Sequence, residues 1–272
     1  MRVVAHLSDL HFGAIDPQLL EPLRRQLRAL APDIVVISGD LTQRAKPEEF
    51  RAARAYLDTL PQPQIVVPGN HDVPLYNVFQ RFVSPLGKYR KFISTQLEPS
   101  YIDDEIAVIG VNTARSLVFK GGRINAEQVE SVRRKICDVP ERVTKIIVTH
   151  HPFDMPDNWD KQHQVVGRAA MALKALAECG ADVYVSGHMH KSHSGEPSVP
   201  FDLGGFNALM VSAGTATSTR GRGEQNSFNT LRIAPDDRVV VEHYEWDVKT
   251  KGFDLKKSQN YKFTDKGWVA GL

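Results

Sequence analysis

The sequence contains no apolar stretch long enough to cross a membrane. A transmembrane helix needs about 18 to 20 consecutive apolar residues, and every apolar run in the 272 residues is much shorter. The amino terminus also has no positively charged leader followed by an apolar segment and a cleavage site, because Met1 runs directly into a β-branched stretch. We therefore expect no membrane span, no secretion signal and a cytoplasmic location.

The chain also has little net charge and few cysteines. The 34 basic and 32 acidic side chains leave a net charge of +2, so no overall field favours nucleic acid or an anionic membrane. The only two cysteines, Cys137 and Cys179, lie within predicted helices. We expect both to be small buried apolar residues in a reducing compartment, and we expect no disulfide framework.

No repeat, low-complexity block or linker divides the chain, whose length suits one α/β domain. We predict a domain over residues 1–248 and a polar carboxyl-terminal segment, residues 249–272, that packs on or near it. Residues 73–100 contain aromatics and prolines without clean periodicity. This segment is predicted to be an excursion or a partial lid.

Apolar runs alternate with amphipathic segments through most of the chain. Strands are predicted at 2–7, 34–37, 64–67, 106–111, 145–148 and 182–185, and helices at 20–30, 47–60, 126–136 and 165–179. Residues 208–211, 227–233 and 238–244 are predicted strands with no helix between them. This change of pattern predicts a mixed sheet or a second sheet.

Polar side chains able to bind a metal follow five of the predicted strands. They are Asp9 with His11, Asp40, Asn70, His150, and His188 with His190. Ligands gather outside the carboxyl ends of parallel strands, so we expect these side chains to meet at one edge. Carboxylate, imidazole and amide ligands without a thiolate suit Mn, Fe, Zn or Mg. Seven ligands exceed what one catalytic ion needs, and would serve two ions about 3.5 to 4 Å apart that share a carboxylate.

The order, spacing and strand context of five motifs between residues 3 and 215 resemble those of the calcineurin-like metallophosphoesterases. The motifs are Asp9-x-His11, Gly39-Asp40, Gly69-Asn70-His71-Asp72, His150-His151-Pro152 and Gly187-His188-x-His190. The resemblance implies an α/β fold, a four-layer α/β/β/α sandwich of two mixed β-sheets flanked by helices. It also implies a hydrolase with two divalent metal ions, of which Mn and Fe are favoured.

The resemblance further implies a role for each motif residue. One ion would be bound by Asp9, His11 and His190, and the other by Asn70, His150 and His188. Asp40 would bridge the two ions, and His71 would be the catalytic histidine that binds neither. Two cations lower the pKa of water, so that a hydroxide can attack phosphorus near neutral pH.

Three residues near the ligands in the sequence have more than one interpretation. His71 would protonate the leaving oxygen or hydrogen-bond the phosphoryl group. Asp72 is assigned to the catalytic group either as support for its neighbours or as a cap of the following turn. His151 either contacts substrate, together with Asn70 and His71, or is an outward structural histidine.

A loop of small residues, 214–223, contains two arginines, Arg220 and Arg222. Guanidinium groups bind phosphate oxygens bidentately, so both arginines are candidate substrate-binding residues. A solvated flexible loop is the alternative interpretation.

Departures from other members of the family narrow the class of ester. Gln43 stands where the protein Ser/Thr phosphatases carry an aspartate, and His71 stands where lipid A precursor pyrophosphatases carry an arginine. The chain looks most like the bacterial class III cyclic nucleotide phosphodiesterases. We therefore predict hydrolysis of a phosphodiester bond in a small substrate such as a 3',5'-cyclic nucleotide.

The main alternative is a nuclease or a phospholipid head-group phosphodiesterase. The near-zero net charge counts against nucleic acid as a partner. A phosphomonoesterase and an inactive metal-binding interaction module rank lower, the latter because no ligand is missing from the motifs. A homodimer, the native metal and the physiological substrate are left open.

Overall fold

The computed structural model describes residues 1–117, 121–156, 165–195, 208–221, 223–235, 238–265 and 267–271. The strands of these residues are β1 (Arg2–Leu7), β2 (Ile34–Ile37), β3 (Gln64–Val66), β4 (Ser100–Ile102), β5 (Ile106–Gly110), β6 (Thr144–Val148), β7 (Ala181–Ser186), β8 (His193–Gly195), β9 (Leu209–Ser212), β10 (Ser227–Ala234), β11 (Arg238–Asp247), β12 (Gly252–Thr264) and β13 (Gly267–Ala270). The α-helices are α1 (Leu20–Leu30), α2 (Pro47–Leu57), α3 (Val78–Val83), α4 (Gly87–Phe92), α5 (Ala126–Ile136) and α6 (Ala169–Ala177).

The strands form two mixed sheets that pack face to face. One sheet has the order β13-β12-β11-β10-β1-β2-β3, and the other has the order β4-β5-β6-β7-β9-β8. The strands β1, β2 and β3 run parallel in the first sheet, as do β5, β6, β7 and β9 in the second. Antiparallel strands flank both parallel blocks.

Alternate residues of the central strands face different layers. Val4 and Val36 pack between the sheets against Val148 and Val185. Their neighbours Leu7 and Ile37 belong instead to the core that contains residues of α1 and α2. On the other sheet, Ile109 and Ile147 pack with residues of α5 and α6. The layers are therefore helix, sheet, sheet and helix, which confirms the predicted four-layer sandwich.

The carboxyl ends of the parallel strands of both sheets meet between the layers. The Asp9 N–H after β1 donates to the Gly39 carbonyl after β2, over 3.1 Å. The Gly187 N–H after β7 donates to the His150 carbonyl after β6, over 3.0 Å. Across the two sheets, the Nδ1 of His150 lies 2.8 Å from the Ser38 carbonyl. The residues that follow β1, β2, β6 and β7 therefore lie close together.

Two of the predicted helices are longer than the observed ones. The helix predicted at 165–179 is shorter, because α6 begins at Ala169. Residue Arg168 has a left-handed backbone (φ 71°), and the Gly167 N–H donates to the Gly122 carbonyl, so this backbone bonds to a neighbouring segment. The helix α2 ends at Leu57 and is followed by a turn.

The carboxyl-terminal segment, residues 249–272, extends the first sheet. Its strand β12 pairs along most of β11, and β13 pairs with β12. The segment looks polar because much of β12 is exposed, although Phe253, Tyr261 and Trp268 are buried. Residues 73–100 hold α3 and α4, and the buried Tyr89 of α4 donates to the Val66 carbonyl over 2.9 Å. Their action as a lid stays a prediction.

Cys137 and Cys179 form a disulfide, so the expectation of two unpaired cysteines is wrong. The helices α5 and α6 pack side by side on the second sheet, which brings the two Cα atoms to 4.5 Å despite a sequence separation of 42. This pairing removes the argument from cysteine for a reducing compartment. Among the described residues, no helix has the length and apolar character that a membrane crossing requires.

We predict that His6 makes folding sensitive to mild acid. Burial lowers the pKa of this β1 side chain from 6.5 to about 3, and its Nε2 lies 2.9 Å from the Ser38 hydroxyl. The unfolded chain therefore binds a proton that the folded chain does not, and stability is lost as the pH falls below 6.5. The loss attributable to His6 is about 2 kcal/mol at pH 5.

Urea unfolding at pH 7.0, 6.0 and 5.0 of the wild type and of His6→Gln measures this loss. The variant is expected to lose less unfolding free energy than the wild type over that range. Parallel decreases in the two proteins would show that His6 does not contribute.

Candidate metal centre

The structure gathers the predicted metal ligands into two adjoining groups. The ligand atoms of one group lie within 4.8 Å of one another, and they belong to Asp9, His11, Asp40 and His190. The other group contains His150, His151 and His188, and Asn70 joins it through its Oδ1, which is 3.1 Å from the His150 Nε2. All seven side chains expected at strand ends are thus present in one centre.

Asp40 lies between the two groups. Its Oδ2 is 3.7 Å from the His11 Nε2 in the first group, and its Oδ1 is 3.4 Å from the His150 Nε2 in the second. The His71 N–H also donates to Oδ1 over 2.8 Å and holds the carboxylate in place. A carboxylate with one oxygen directed at each group has the geometry of a bridging ligand.

Backbone carbonyls orient three of the imidazoles. The Nδ1 atoms of His11, His150 and His190 lie 3.3, 2.8 and 2.9 Å from the carbonyls of Thr42, Ser38 and Arg220. A carbonyl can only accept a hydrogen bond, so each Nδ1 carries the hydrogen. The Nε2 of the neutral ring is then a bare lone pair directed into the centre, as a metal ligand requires.

The centre is rich in lone pairs and negative charge. The Nε2 atoms of His11 and His190 are 3.1 Å apart, and the His190 Nε2 is 3.1 Å from the Asp9 Oδ1. Lone pairs at such distances repel one another unless a cation lies among them. Burial opposes a charge on His150, but the neighbouring Asp40 outweighs it and raises the pKa of His150 to about 9. These donors fit divalent metal ions.

The backbone at the ligands is strained in a way that is uncommon outside functional sites. Five of them have a positive φ between 50° and 71°, namely Asp9, His11, Asp40, His188 and His190. A left-handed conformation costs a residue other than glycine about 1 to 3 kcal/mol, and it persists where the surroundings impose it. The hydrogen bonds from backbone to ligand supply that constraint here.

Glycine is required before two of the ligands because the chain segments approach so closely. A Cβ on Gly69 would overlap the backbone and the carboxylate of Asp40. A Cβ on Gly187 would overlap the Ser8 hydroxyl and lie 2.7 Å from the Asp9 Oδ2. The Gly-Asn-His-Asp and Gly-His-x-His motifs therefore begin with glycine for a steric reason.

His71 and Arg220 lie at the open side of the centre. His71 is half-buried and Arg220 is exposed, whereas the histidine ligands are buried. The His71 Nδ1 is 2.8 Å from the Gln43 carbonyl, which leaves its Nε2 facing the Arg220 Nη1 at 3.2 Å. Arg220 also donates to the Gln43 side-chain oxygen over 3.4 Å. A neutral imidazole and a guanidinium therefore face each other at the mouth.

Asp72 joins two loops beneath the centre. Its carboxylate accepts hydrogen bonds from the N–H groups of Gly69, Leu41 and Thr42 and from the Thr42 hydroxyl. Burial and the charge of Asp40 raise the pKa of Asp72 to about 6. Every one of these donors belongs to the protein, which is the arrangement expected of a supporting residue.

His151 is the member of the second group that the sequence did not predict as a metal ligand. Its side chain is fully buried, and its Nδ1 is 2.8 Å from the Thr113 hydroxyl. The His151 ring is 4.7 Å from that of His188, measured between centroids. The side chain therefore does not point outward, and its surroundings are the other histidines.

The loop that begins at Gly214 packs against the segment that carries Asp9. The Thr215 hydroxyl donates to the Asp9 carbonyl over 2.7 Å, and the Thr217 hydroxyl donates to the Leu10 carbonyl over 2.8 Å. Residues 213–218 are buried, so the solvated-loop interpretation is wrong for them. Arg222 lies outside the described residues.

Several residues that hold the ligands were not identified from the sequence. The Ser8 hydroxyl donates to the Asp9 Oδ2 over 2.6 Å, and the His188 N–H donates to the same oxygen over 2.9 Å. Gln43 was identified only as a difference from the protein Ser/Thr phosphatases of the same family, yet its carbonyl sets the tautomer of His71. The contacts of His188 and Gln43 carry no sequence signal because they join segments far apart in the chain.

The model of the family described as calcineurin-like phosphoesterase matches residues 2–192. Along most of its length the chain is similar to the 3',5'-cyclic adenosine monophosphate phosphodiesterase CpdA of Escherichia coli, with 24% identity over 91% of this chain and 88% of the relative. A cAMP/cGMP dual specificity phosphodiesterase of Mycobacterium tuberculosis is 26% identical over 87% of this chain and 77% of its own.

A further relative is similar over a shorter region. The glycerophosphodiester phosphodiesterase GpdQ of Enterobacter lignolyticus is 37% identical over 56% of this chain and 58% of the relative. Among solved structures, a purple acid phosphatase from yellow lupin superposes with a TM-score of 0.69 and 13% identity, over 94% of this chain and 53% of the phosphatase. That likeness concerns the fold alone.

We predict that Asp40→Ala reduces the number of bound metal ions. After loading with Mn and removal of free metal, the wild type is expected to hold two ions per chain. The variant is expected to hold at most one, because it lacks the carboxylate that faces both groups. Metal content measured by inductively coupled plasma mass spectrometry gives the stoichiometry.

Asp58→Ala is the matched control, since Asp58 is an exposed carboxylate at the end of α2 that pairs with Arg54. It should retain the wild-type metal content. Two ions per chain in Asp40→Ala would contradict the bridging position of Asp40.

Proposed function

The chain belongs to the calcineurin-like phosphoesterase family, and within it we propose that this protein hydrolyses a phosphodiester bond of a small substrate, with a 3',5'-cyclic nucleotide as the preferred class. It is a metal-dependent phosphoric ester hydrolase. The observation that carries the proposal is the pair of His71 and Arg220 at the open side of the buried ligand groups. The phosphodiesterase relatives support the same reaction.

The proposed ligand sets follow the two groups. Asp9, His11 and His190 hold one ion, Asn70, His150 and His188 hold the other, and Asp40 serves both. Nitrogen and carboxylate donors favour Mn or Fe among the divalent ions considered. When bound, two such cations supply Lewis acidity that activates water and offsets the charge of the phosphoryl oxygens.

Arg220 and Asn70 are the proposed contacts of the phosphoryl group. Arg220 is exposed and can turn its guanidinium from Gln43 to a phosphoryl oxygen. The Oδ1 of Asn70 faces His150, so its amide N–H groups remain to donate to substrate. His151 has no exposed side-chain surface, and we propose that it supports His188 and His150.

His71 is the proposed proton donor to the leaving oxygen. The Gln43 carbonyl holds the Nδ1 hydrogen, so the proton that is transferred must come from the Nε2. In the observed arrangement the Nε2 accepts from Arg220, which is the state reached after the proton has left. Protonation of the Nε2 breaks that contact and leaves Arg220 available to the phosphoryl group.

An aromatic surface beside the mouth favours a cyclic nucleotide. The Tyr76 ring is 72% exposed, and the Arg44 guanidinium lies 5.7 Å from its centroid. Arg44 directly follows Gln43, which contacts both His71 and Arg220. We propose that Tyr76 stacks on the nucleobase. A glycerophosphodiester is the second candidate, because the relative with 37% identity is named for that substrate.

Turnover of a set of esters by the Mn-loaded protein tests the proposal. The set comprises cyclic AMP, cyclic GMP, glycerophosphocholine, single-stranded DNA, bis-p-nitrophenyl phosphate and p-nitrophenyl phosphate. We expect the highest kcat/KM among natural substrates for a cyclic nucleotide and a lower value for the monoester. Lack of turnover of every diester, with both metals bound, would refute the phosphodiesterase.

Tyr76→Ala separates the two candidate substrates. The variant should raise the KM for cyclic AMP about tenfold, since stacking on a base contributes about 1 to 3 kcal/mol. Its KM for glycerophosphocholine, which has no aromatic ring, should stay at the wild-type value. An unchanged KM for cyclic AMP would remove Tyr76 from the site.

We predict that His71→Ala keeps both metal ions and lowers turnover according to the leaving group. A proton donor contributes about 10²- to 10⁴-fold when the leaving oxygen is a poor leaving group. The loss of kcat should therefore be large for cyclic AMP, which releases an alkoxide, and small for bis-p-nitrophenyl phosphate. Steady-state kinetics and metal analysis of the same preparation provide both values. Equal losses on the two esters would assign His71 to binding the phosphoryl group.

A further inference from the structure

A second cavity lies at the opposite end of the strands that carry the metal centre. Its volume is about 300 Å³, and its lining includes Arg142, Lys145, Gly180, Asp182, Phe263 and Trp268. The strand β6 runs from this cavity to the metal centre, so Lys145 and His150 mark its two ends. At about 3.3 Å per residue the separation is roughly 16 Å. The cavity is therefore a separate site from the ligand groups.

The ammonium of Lys145 is directed into this cavity without a partner. The residue is only 3% exposed, and its Nζ makes no hydrogen bond or ion pair within the described part of the chain. The Nζ lies 3.1 Å from the position that a Cβ on Gly180 would occupy, and Gly180 also lines the cavity. Among the described residues no acceptor lies within hydrogen-bonding distance of this ammonium, so a ligand in the cavity can supply one.

Trp268 provides a second donor without a partner. The residue is 3% exposed, and within the described chain its buried indole N–H has no acceptor. Its ring packs edge to face on Phe263, with centroids 5.3 Å apart and an interplanar angle of 65°. The guanidinium of Arg142 is exposed at the rim and has no carboxylate partner among the described residues. Three donors and two aromatic rings thus surround one cavity.

The charges around the cavity limit the ligand to a single negative charge. Glu141 and Asp182 line it together with Arg142 and Lys145, so the formal charges of the lining cancel. Asp182 is engaged with the backbone, because its Oδ2 accepts the Lys145 N–H over 2.8 Å. A polyanion would meet two carboxylates, whereas a single carboxylate can be placed between the two cations.

We propose that this cavity binds a small aromatic carboxylate. The carboxylate accepts from Lys145, Arg142 and the indole N–H of Trp268, and the planar ring packs on Phe263 and Trp268. A volume of about 300 Å³ accommodates one or two fused rings and one acidic group. This site does not depend on the proposed phosphodiesterase activity, since none of its residues belongs to the metal centre.

Titration of the ¹⁵N-labelled, Mg-loaded protein with sodium 1-naphthoate tests the proposal. The chain has three tryptophans, and the indole N–H signal of Trp268 is the one that disappears in Trp268→Phe. We expect that signal to move downfield in a saturable manner as its N–H gains an acceptor. The neutral 1-naphthalenemethanol and inorganic phosphate should leave it in place at the same concentrations.

Two variants test whether the charges of Lys145 and Arg142 bind the naphthoate that shifts the Trp268 signal. Lys145→Met and Arg142→Met should each weaken naphthoate binding by roughly tenfold, which is the scale of a charge-assisted hydrogen bond. Arg142 is exposed, so its variant still tests the site if Lys145→Met does not fold. Lys174→Met, which removes an exposed lysine of α6, should bind like the wild type.

Three results with naphthoate and its neutral alcohol would overturn the proposal. They are a Trp268 signal that does not respond to naphthoate, equal affinity in Arg142→Met and the wild type, and equal binding of the neutral alcohol. The last result would show an apolar cavity without selection for an acid. A response to inorganic phosphate at the concentrations that saturate naphthoate would equally exclude an aromatic monoanion site.

Discussion

Hydrogen bonds from imidazole Nδ1 atoms to backbone carbonyls determine how the histidines of the candidate active site are oriented. They direct the lone pairs of His11, His150 and His190 into the centre. The accepting carbonyls belong to Thr42, Ser38 and Arg220, which lie in segments that follow other strands. The orientation of each ligand therefore depends on how the two sheets and the loop after β9 are placed against one another. A small change in that packing would turn a metal ligand into an ordinary buried histidine.

Strands β6 and β7 have opposite electrostatic character at their two ends. Where β6 and β7 end, lone pairs and carboxylates converge and favour cations. Where they begin, the buried indole N–H of Trp268 has no acceptor among the described residues, and Lys145 lines the same cavity, which favours an anion. At each end, a bound group would complete an interaction with the side chains: a cation at the metal centre and an anion in the cavity. Metal binding is expected to stabilise the folded chain for this reason.

We propose that the mouth of the centre, more than the metal ligands, selects the ester that reacts. The candidate ligands other than Asn70 are buried, whereas His71, Arg220 and Tyr76 are partly or largely exposed. Gln43 connects these residues, since its carbonyl sets the tautomer of His71 and its amide oxygen accepts from Arg220. The residue that separates this chain from the protein phosphatases thus also shapes its substrate-binding surface.

The four-layer fold was implied by the resemblance of the sequence motifs to those of a known family. The sequence by itself also determined most strand and helix positions and the side chains that gather in the candidate metal centre. These depend on local apolar periodicity and on polar residues placed at strand ends, which are visible in one dimension. The tertiary structure alone decided the Cys137–Cys179 disulfide, the shorter α6 and the burial of His151. It also decided the contact of Arg220 with His71 and the placement of Lys145 beside Trp268 in one cavity, because these depend on segments more than 30 residues apart whose distance no local pattern encodes.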